Sequence, residues 1–158
     1  MPNAEEKLSQ LGLELPPPPA AGGNYLPYRR TGNLLYLAGV IAVQNGEMVY
    51  TGQVGDRQTV ETGYEAAKIC ALNALALMQE AAGSLDAIAQ IVFVSGYVNA
   101  VSGFDASPLV INGASDLLAE VLGEAGRHAR AAVAVAGLPK DSTVEIQVVC
   151  ELKEVARG

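Results

Sequence analysis

The chain has no tryptophan, one histidine and two cysteines in 158 residues. A single histidine, His128, rules out a metal centre built from clustered imidazoles. Cys70 and Cys150 match no metal or redox spacing, so we expect two reduced, buried thiols and a cytoplasmic location. Positive charge is scarce as well: 10 Lys and Arg stand against 17 Asp and Glu, for a net charge of −7. A phosphate-backbone binder neutralises phosphates with basic side chains, and the longest basic run is Arg29-Arg30, so nucleic acid is a poor candidate partner. No apolar run approaches the roughly 20 residues of a membrane helix. Residues 1–15 carry Glu5, Glu6 and Lys7 and lack the apolar stretch of a secretory leader. No nucleophile elbow, phosphate loop or dinucleotide fingerprint is present.

What is there is apolar and patterned. Half of the residues are hydrophobic and 17% are charged, which suits one domain with one core. Leu8, Leu11 and Leu15 fall at helical spacing, so residues 1–15 read as a small docking helix. Pro16 to Pro19 end it in an extended segment, and residues 16–23 read as a linker, with a partner-binding proline motif as the alternative. We therefore divide the chain into an N-terminal extension, 1–23, and a domain, 24–158.

Residues 34–43 are a continuous apolar run and read as one strand; Asn45-Gly46 marks a hairpin turn and 47–50 the returning strand. Residues 59–82 read as a long helix with Thr59 as N-cap, Gly83 as stop, and an alanine-rich stripe that suits close packing on a sheet. A strand over 88–99 follows. Ser107-Pro108 opens a second helix, with Ser107 as the cap, ending at Gly123 or Gly126. Residues 130–136 and 144–152 form the last two strands, joined by a turn at 137–141. The order ββαβαββ implies an α+β layer: a mixed or antiparallel sheet with two helices on one face. The second face of such a sheet is often buried in an oligomer, so we expect a multimer.

Four residues stand out chemically. Arg130 shares a strand face with Ala132 and Ala134, whose small side chains leave room for a guanidinium fork. That arrangement suits either a ligand carboxylate or a local salt bridge. Glu145, on the next strand in sequence, is either a solvated carboxylate or a general base with a raised pKa. Asn112 orients a ligand or joins a cap network. Tyr25 closes a pocket or simply packs. His128 reads as a surface or helix-end histidine.

The stretch His128-Ala129-Arg130-Ala131-Ala132-Val133-Ala134-Val135-Ala136-Gly137-Leu138-Pro139-Lys140-Asp141, followed by Val144-Glu145-Ile146, resembles the C-terminal signature of the RidA/YjgF family, the enamine/imine deaminases. Asn24-Tyr25, Gly32-Asn33, Leu37-Ala38-Gly39 and Asn112 fall at further family markers, and the resemblance covers roughly residues 24–153. The N-terminal extension and the stretch 110–117 resemble a longer branch than RidA itself. The resemblance implies a chorismate-mutase-like trimer with an inner sheet barrel and clefts between subunits. It implies that Arg130 holds a substrate carboxylate and Glu145 positions or activates water. Tyr25 and Asn112 would line the cleft, with the backbone at Gly39 and Ala132 facing the ligand. The implied reaction is hydrolysis of 2-imino or 2-enamino acids, such as 2-aminoacrylate, to 2-keto acids and ammonia, with no cofactor. Two family side chains are replaced, a serine by Ala38 and a cysteine by Ala132, and the Asn112 to Arg130 spacing is one residue longer. These departures motivate a second reading, a non-catalytic carboxylate-binding or regulatory trimer. The family's older label, endoribonuclease and translation inhibitor, is a third, against which the acidic charge counts.

Overall fold

The structure is a computed structural model that describes residues 2–154. Met1 and residues 155–158, the outer ends of the two expected segments, lie outside the described residues.

The fold is the expected α+β layer. Its elements are α1 (Ala4–Gln10), β1 (Tyr28–Thr31), β2 (Leu34–Leu37), β3 (Val40–Ile41), β4 (Val43–Gln44), β5 (Glu47–Met48), α2 (Val60–Ala82), β6 (Ile88–Asn99), α3 (Ser107–Leu122), β7 (Ala129–Val135) and β8 (Val144–Leu152). The main sheet runs β1-β2-β8-β6-β7, with β3 also on β8. All pairings in it are antiparallel except β6 with β7, which are parallel and joined by the α3 crossover. Alternation along β8 is strict: Val144, Ile146, Val148, Cys150 and Leu152 are buried under the helices. The opposite face of the sheet carries Tyr36, Phe93 and Val133, each more than a third exposed among the described residues.

α2 is capped as its sequence predicts. Thr59 Oγ1 accepts from Thr62 N–H, and Thr62 answers to the Thr59 N–H. Gly83 ends the helix at φ 83°, a left-handed position that costs glycine little. Its buried face is wider than one stripe, because α2 lies on β8 and β3 on one side and on α3 on another. Gly113 lets α3 close on α2: a Cβ there would collide with the Tyr64 carbonyl.

Four expectations need correction. Residues 34–43 are not one strand. The register slips by one residue between Tyr36↔Val149 and Val40↔Ile146, so Ala38-Gly39 forms a β-bulge opposite β8. The Asn45-Gly46 turn is present, both residues at positive φ, but it joins β4 to β5 in a separate two-stranded sheet, and the return strand is only Glu47–Met48. The first hairpin of the main sheet is instead β1–β2, turning at Gly32. Ser107 is the first helical residue rather than the cap. Ala106 precedes it with no side-chain cap bond, and Pro108 sits in the first turn.

The N-terminal helix is shorter than its leucine pattern suggests. Asn3 and Glu6 form a capping box, Ala4 and Leu8 enter the common core, and Leu11 is exposed. α1 packs on α3 and on the turn Leu85–Ala87, while Leu13 and Leu15 return against the core. Cys70 and Cys150 are buried free thiols with no disulfide among the described residues, and burial pushes both thiols up, Cys150 to about 12. No helix among the described residues is long and apolar enough to cross a membrane.

Candidate functional site

Arg130 sits on β7, the edge strand of the sheet, at the level of Val94 and Val148. Both of those valines face the helices, so the guanidinium points under α3 rather than onto the open face. Nη1 donates to Asn112 Oδ1 at 2.9 Å and to Ser115 Oγ at 3.1 Å, and Nη2 donates to the Pro108 carbonyl at 3.3 Å. Pro108, Asn112 and Ser115 lie four and three residues apart, on one face of α3. Three of the five guanidinium donors are thereby fixed. The Nε–H and one Nη2–H have no partner among the described residues. No carboxylate pairs with Arg130 among the described residues, which disposes of the local salt bridge. Ala132 lies on the same face, half-buried, with Ala134 exposed beyond it.

Ser115 is held in turn by His128. His128 Nδ1 lies 2.7 Å from the Gly126 carbonyl, which can only accept, so Nδ1 carries the proton. Nε2 is then the acceptor for the Ser115 hydroxyl at 2.8 Å. Burial holds the imidazole pKa below its ordinary value; the Gly126 carbonyl opposes this and the Arg130 charge reinforces it. His128 does sit at a helical end, after the turn Gly123–Gly126, but it also fixes the serine that fixes the arginine.

Glu145 is elsewhere. In the sheet, β6 separates β7 from β8, so the strand next to Arg130 in sequence is not next to it in space. Glu145 pairs with Ile41 and Tyr97, on the open face opposite to Arg130. Its carboxylate lies against the bulge: a Cβ on Gly39 would stand 2.5 Å from Oε2. It is half-buried and accepts no hydrogen bond from the described residues, and desolvation raises its pKa. The chain just beyond the bulge, at β3 and β4, is fastened by Asn73, whose Nδ2 donates to the Ile41 and Val43 carbonyls at 3.0 and 2.9 Å.

Glu145 and Gly39 open into a cavity of about 870 Å³ that Tyr25, Ala38 and Lys140 also line. Its far wall is the proline-rich segment 16–22. Tyr25 is more than half exposed, and its hydroxyl accepts from the Gly22 N–H at 3.0 Å, tying the strap to the cavity mouth.

The six residues singled out in the sequence thus form two groups. Arg130, Asn112 and Ala132 gather at the β7 edge; Tyr25, Gly39 and Glu145 gather at the bulge. One chain does not bring the two groups together. Ser115 and the Pro108 carbonyl were missed, although their helical spacing from Asn112 carries the signal.

A model of the family described as "YjgF/chorismate mutase-like, putative endoribonuclease" matches residues 5–152. This chain belongs to the RidA/YjgF family. Protein TCP17 of Trypanosoma cruzi is 40% identical over 146 residues, covering 92% of this chain and 91% of that one. A Shewanella oneidensis protein whose name carries the same endoribonuclease description is 38% identical with a TM-score of 0.93, covering 96% of this chain and 100% of that one. RidA of the Antarctic bacterium Psychrobacter is 26% identical with a TM-score of 0.61, covering 85% and 93%. The chain therefore has the YjgF/chorismate-mutase-like fold.

Proposed function

We propose that the chain is an enamine/imine deaminase whose site is completed between copies of a homotrimer. The observation that carries this reading is the Arg130 guanidinium, braced by Asn112, Ser115 and the Pro108 carbonyl with a side-on pair of donors left over. A donor fork of this kind matches a carboxylate bidentately. Glu145 supplies the second group, a desolvated carboxylate with a raised pKa beside an open cavity. Packing the β7 edge of one copy against the bulge of another joins the two groups. The sheet face with Tyr36, Phe93 and Val133 supports the trimer by giving such packing an apolar surface to bury.

The chemistry follows from these groups. The substrate carboxylate docks on Arg130 and the imine carbon faces Glu145. Glu145 takes a proton from water as the oxygen adds to C2. Glu145 returns that proton to the imine nitrogen to give the neutral carbinolamine, then relays the hydroxyl proton to the nitrogen as the C2–N bond breaks, releasing ammonia and leaving a 2-keto acid. Water supplies the oxygen and nothing is oxidised or reduced. A small carboxylate is the partner this reading calls for, in a reducing cytoplasm that suits the two free thiols.

A second reading, carboxylate binding without turnover, draws on Ala38 and Ala132, which put methyl groups where the family pattern has a serine and a cysteine. The endoribonuclease name has less support, since the net charge is −7. The test is release of ammonia and keto acid from enzymatically generated 2-aminoacrylate and its longer homologues. Turnover that falls at least ~100-fold in Arg130→Ala and in Glu145→Gln supports the deaminase. Saturable binding of 2-keto acids with no imine hydrolysed supports the second reading instead.

A further inference from the structure

The Glu145 cavity is larger and more apolar than a short acid requires, and the N-terminal extension builds one side of it. Residues 16–22, four prolines, two alanines and a glycine, form its outer wall. Ala38, Val40 and Leu77 form the inner wall, so a ligand lying on Glu145 meets hydrocarbon in both directions. The outer wall is held at three places. Ala4 and Leu8 anchor α1 in the core, Leu13 and Leu15 pack on it, and the Gly22 N–H donates to the Tyr25 hydroxyl at 3.0 Å. Consecutive prolines keep such a segment extended with little chain entropy left to lose. A wall of this kind is preorganised to contact a ligand rather than to collapse into the space.

We infer that the proline strap and the bulge together form a side-chain subsite, so that the chain selects 2-imino and 2-keto acids bearing an extended, branched apolar substituent over three-carbon ones. The inference rests on the proposed placement of the reacting carbon at Glu145. From there the substituent reaches the space beneath residues 16–22, where the prolines, Val40 and Leu77 give it hydrocarbon walls. The volume, about 870 Å³, lies within the range of small-molecule pockets and exceeds what a three-carbon acid fills. Ala38 contributes by presenting a methyl group at the place where a hydroxyl would favour a polar substituent.

The experiment compares pyruvate with 4-methyl-2-oxopentanoate by titration calorimetry, on the full chain and on two variants. Ala21→Trp fills the space from the strap; Ala38→Leu fills it from the bulge. An apolar pocket rewards each added methylene-sized group by about tenfold. The expected result is a branched acid bound at least ~10-fold more tightly than pyruvate, with that ratio falling towards unity in both variants. Should Ala21→Trp undock the strap, seen as a changed proteolysis pattern at residues 16–22, Ala38→Leu still reads the same ratio with the strap in place. Equal affinities in the unmodified chain, or a preference that Ala38→Leu leaves intact, overturn the subsite. Turnover is scored separately with the matching imines. A clear binding preference without ammonia release contradicts the deaminase while leaving the subsite standing.

Discussion

Arg130 and Glu145 lie on opposite faces of one sheet, with β6 between their strands. Each is prepared for work by its own surroundings. The arginine is braced by three hydrogen bonds; the carboxylate is desolvated and left without a donor. Neither has the other to pair with inside one chain.

Glu145 sets a pH dependence whose sign is fixed by its environment. Its folded pKa lies above the ordinary 4.5, so the folded chain holds that proton more tightly than the unfolded chain does. The resulting stabilisation is complete below 4.5 and is lost as pH rises through the folded value. At neutral pH the ionised group is therefore a liability. Glu145→Gln is expected to raise the melting temperature at pH 7 while removing activity. On the proposed reaction, turnover of the unmodified protein is expected to rise with pH along a limb whose midpoint lies above 4.5. Calorimetric melting of both proteins, with a pH–rate profile, checks the two halves together.

His128 acts in the opposite sense. Its folded pKa lies below the ordinary 6.5, so in the window beneath that value the unfolded chain binds more protons. Stability is full above 6.5 and declines as pH falls through the folded value. Protonation also turns Nε2 from an acceptor into a donor, so the bond to Ser115 Oγ reverses direction and a second positive charge stands near Arg130. Urea unfolding at several values between about pH 5 and 8 is expected to show this slope, and His128→Gln to flatten it.

Gly39→Ala separates position from fold. The new Cβ would meet the Glu145 carboxylate, the free end of a flexible side chain, so the chain yields cheaply and loses about 1 kcal/mol of stability or less. The carboxylate is displaced from its place over the cavity, and misplacement of a catalytic group by an ångström costs about 100-fold. The expected outcome is a large fall in kcat with little change in KM and a nearly unchanged melting curve.

Much of this was legible in the sequence where a side chain carries its own periodicity or cap. Thr59 and Gly83 bound α2, the alternation of Val144 to Leu152 gives β8, and Asn45-Gly46 gives its turn. The bulge at Ala38-Gly39 was not legible, because an unbroken apolar run has no alternation whose phase could slip. β1 was hidden for the opposite reason: it is a short edge strand whose Arg29 and Arg30 face solvent. Sequence order left the neighbours of β7 open; the α3 crossover pairs it with β6, on the side away from β8. Arg130 was readable from its strand face and Asn112 as a family marker; that the two bond was not, because they lie on different elements. Ser115 was readable in principle, from the helical face shared with Asn112; His128 lies beyond the end of α3 and has no such spacing.

The central claim, a site assembled from Arg130 of one copy and Glu145 of another, is tested most directly by mixing two inactive variants. Arg130→Ala and Glu145→Gln are co-expressed with different tags, and trimers carrying both tags are isolated. In a head-to-tail ring each interface takes one residue from each neighbour, so every mixed trimer holds one interface that is intact on both sides. The account predicts that mixed trimers recover about a third of unmodified activity, while each variant alone stays inactive. Mixed trimers as inactive as their parents would contradict it.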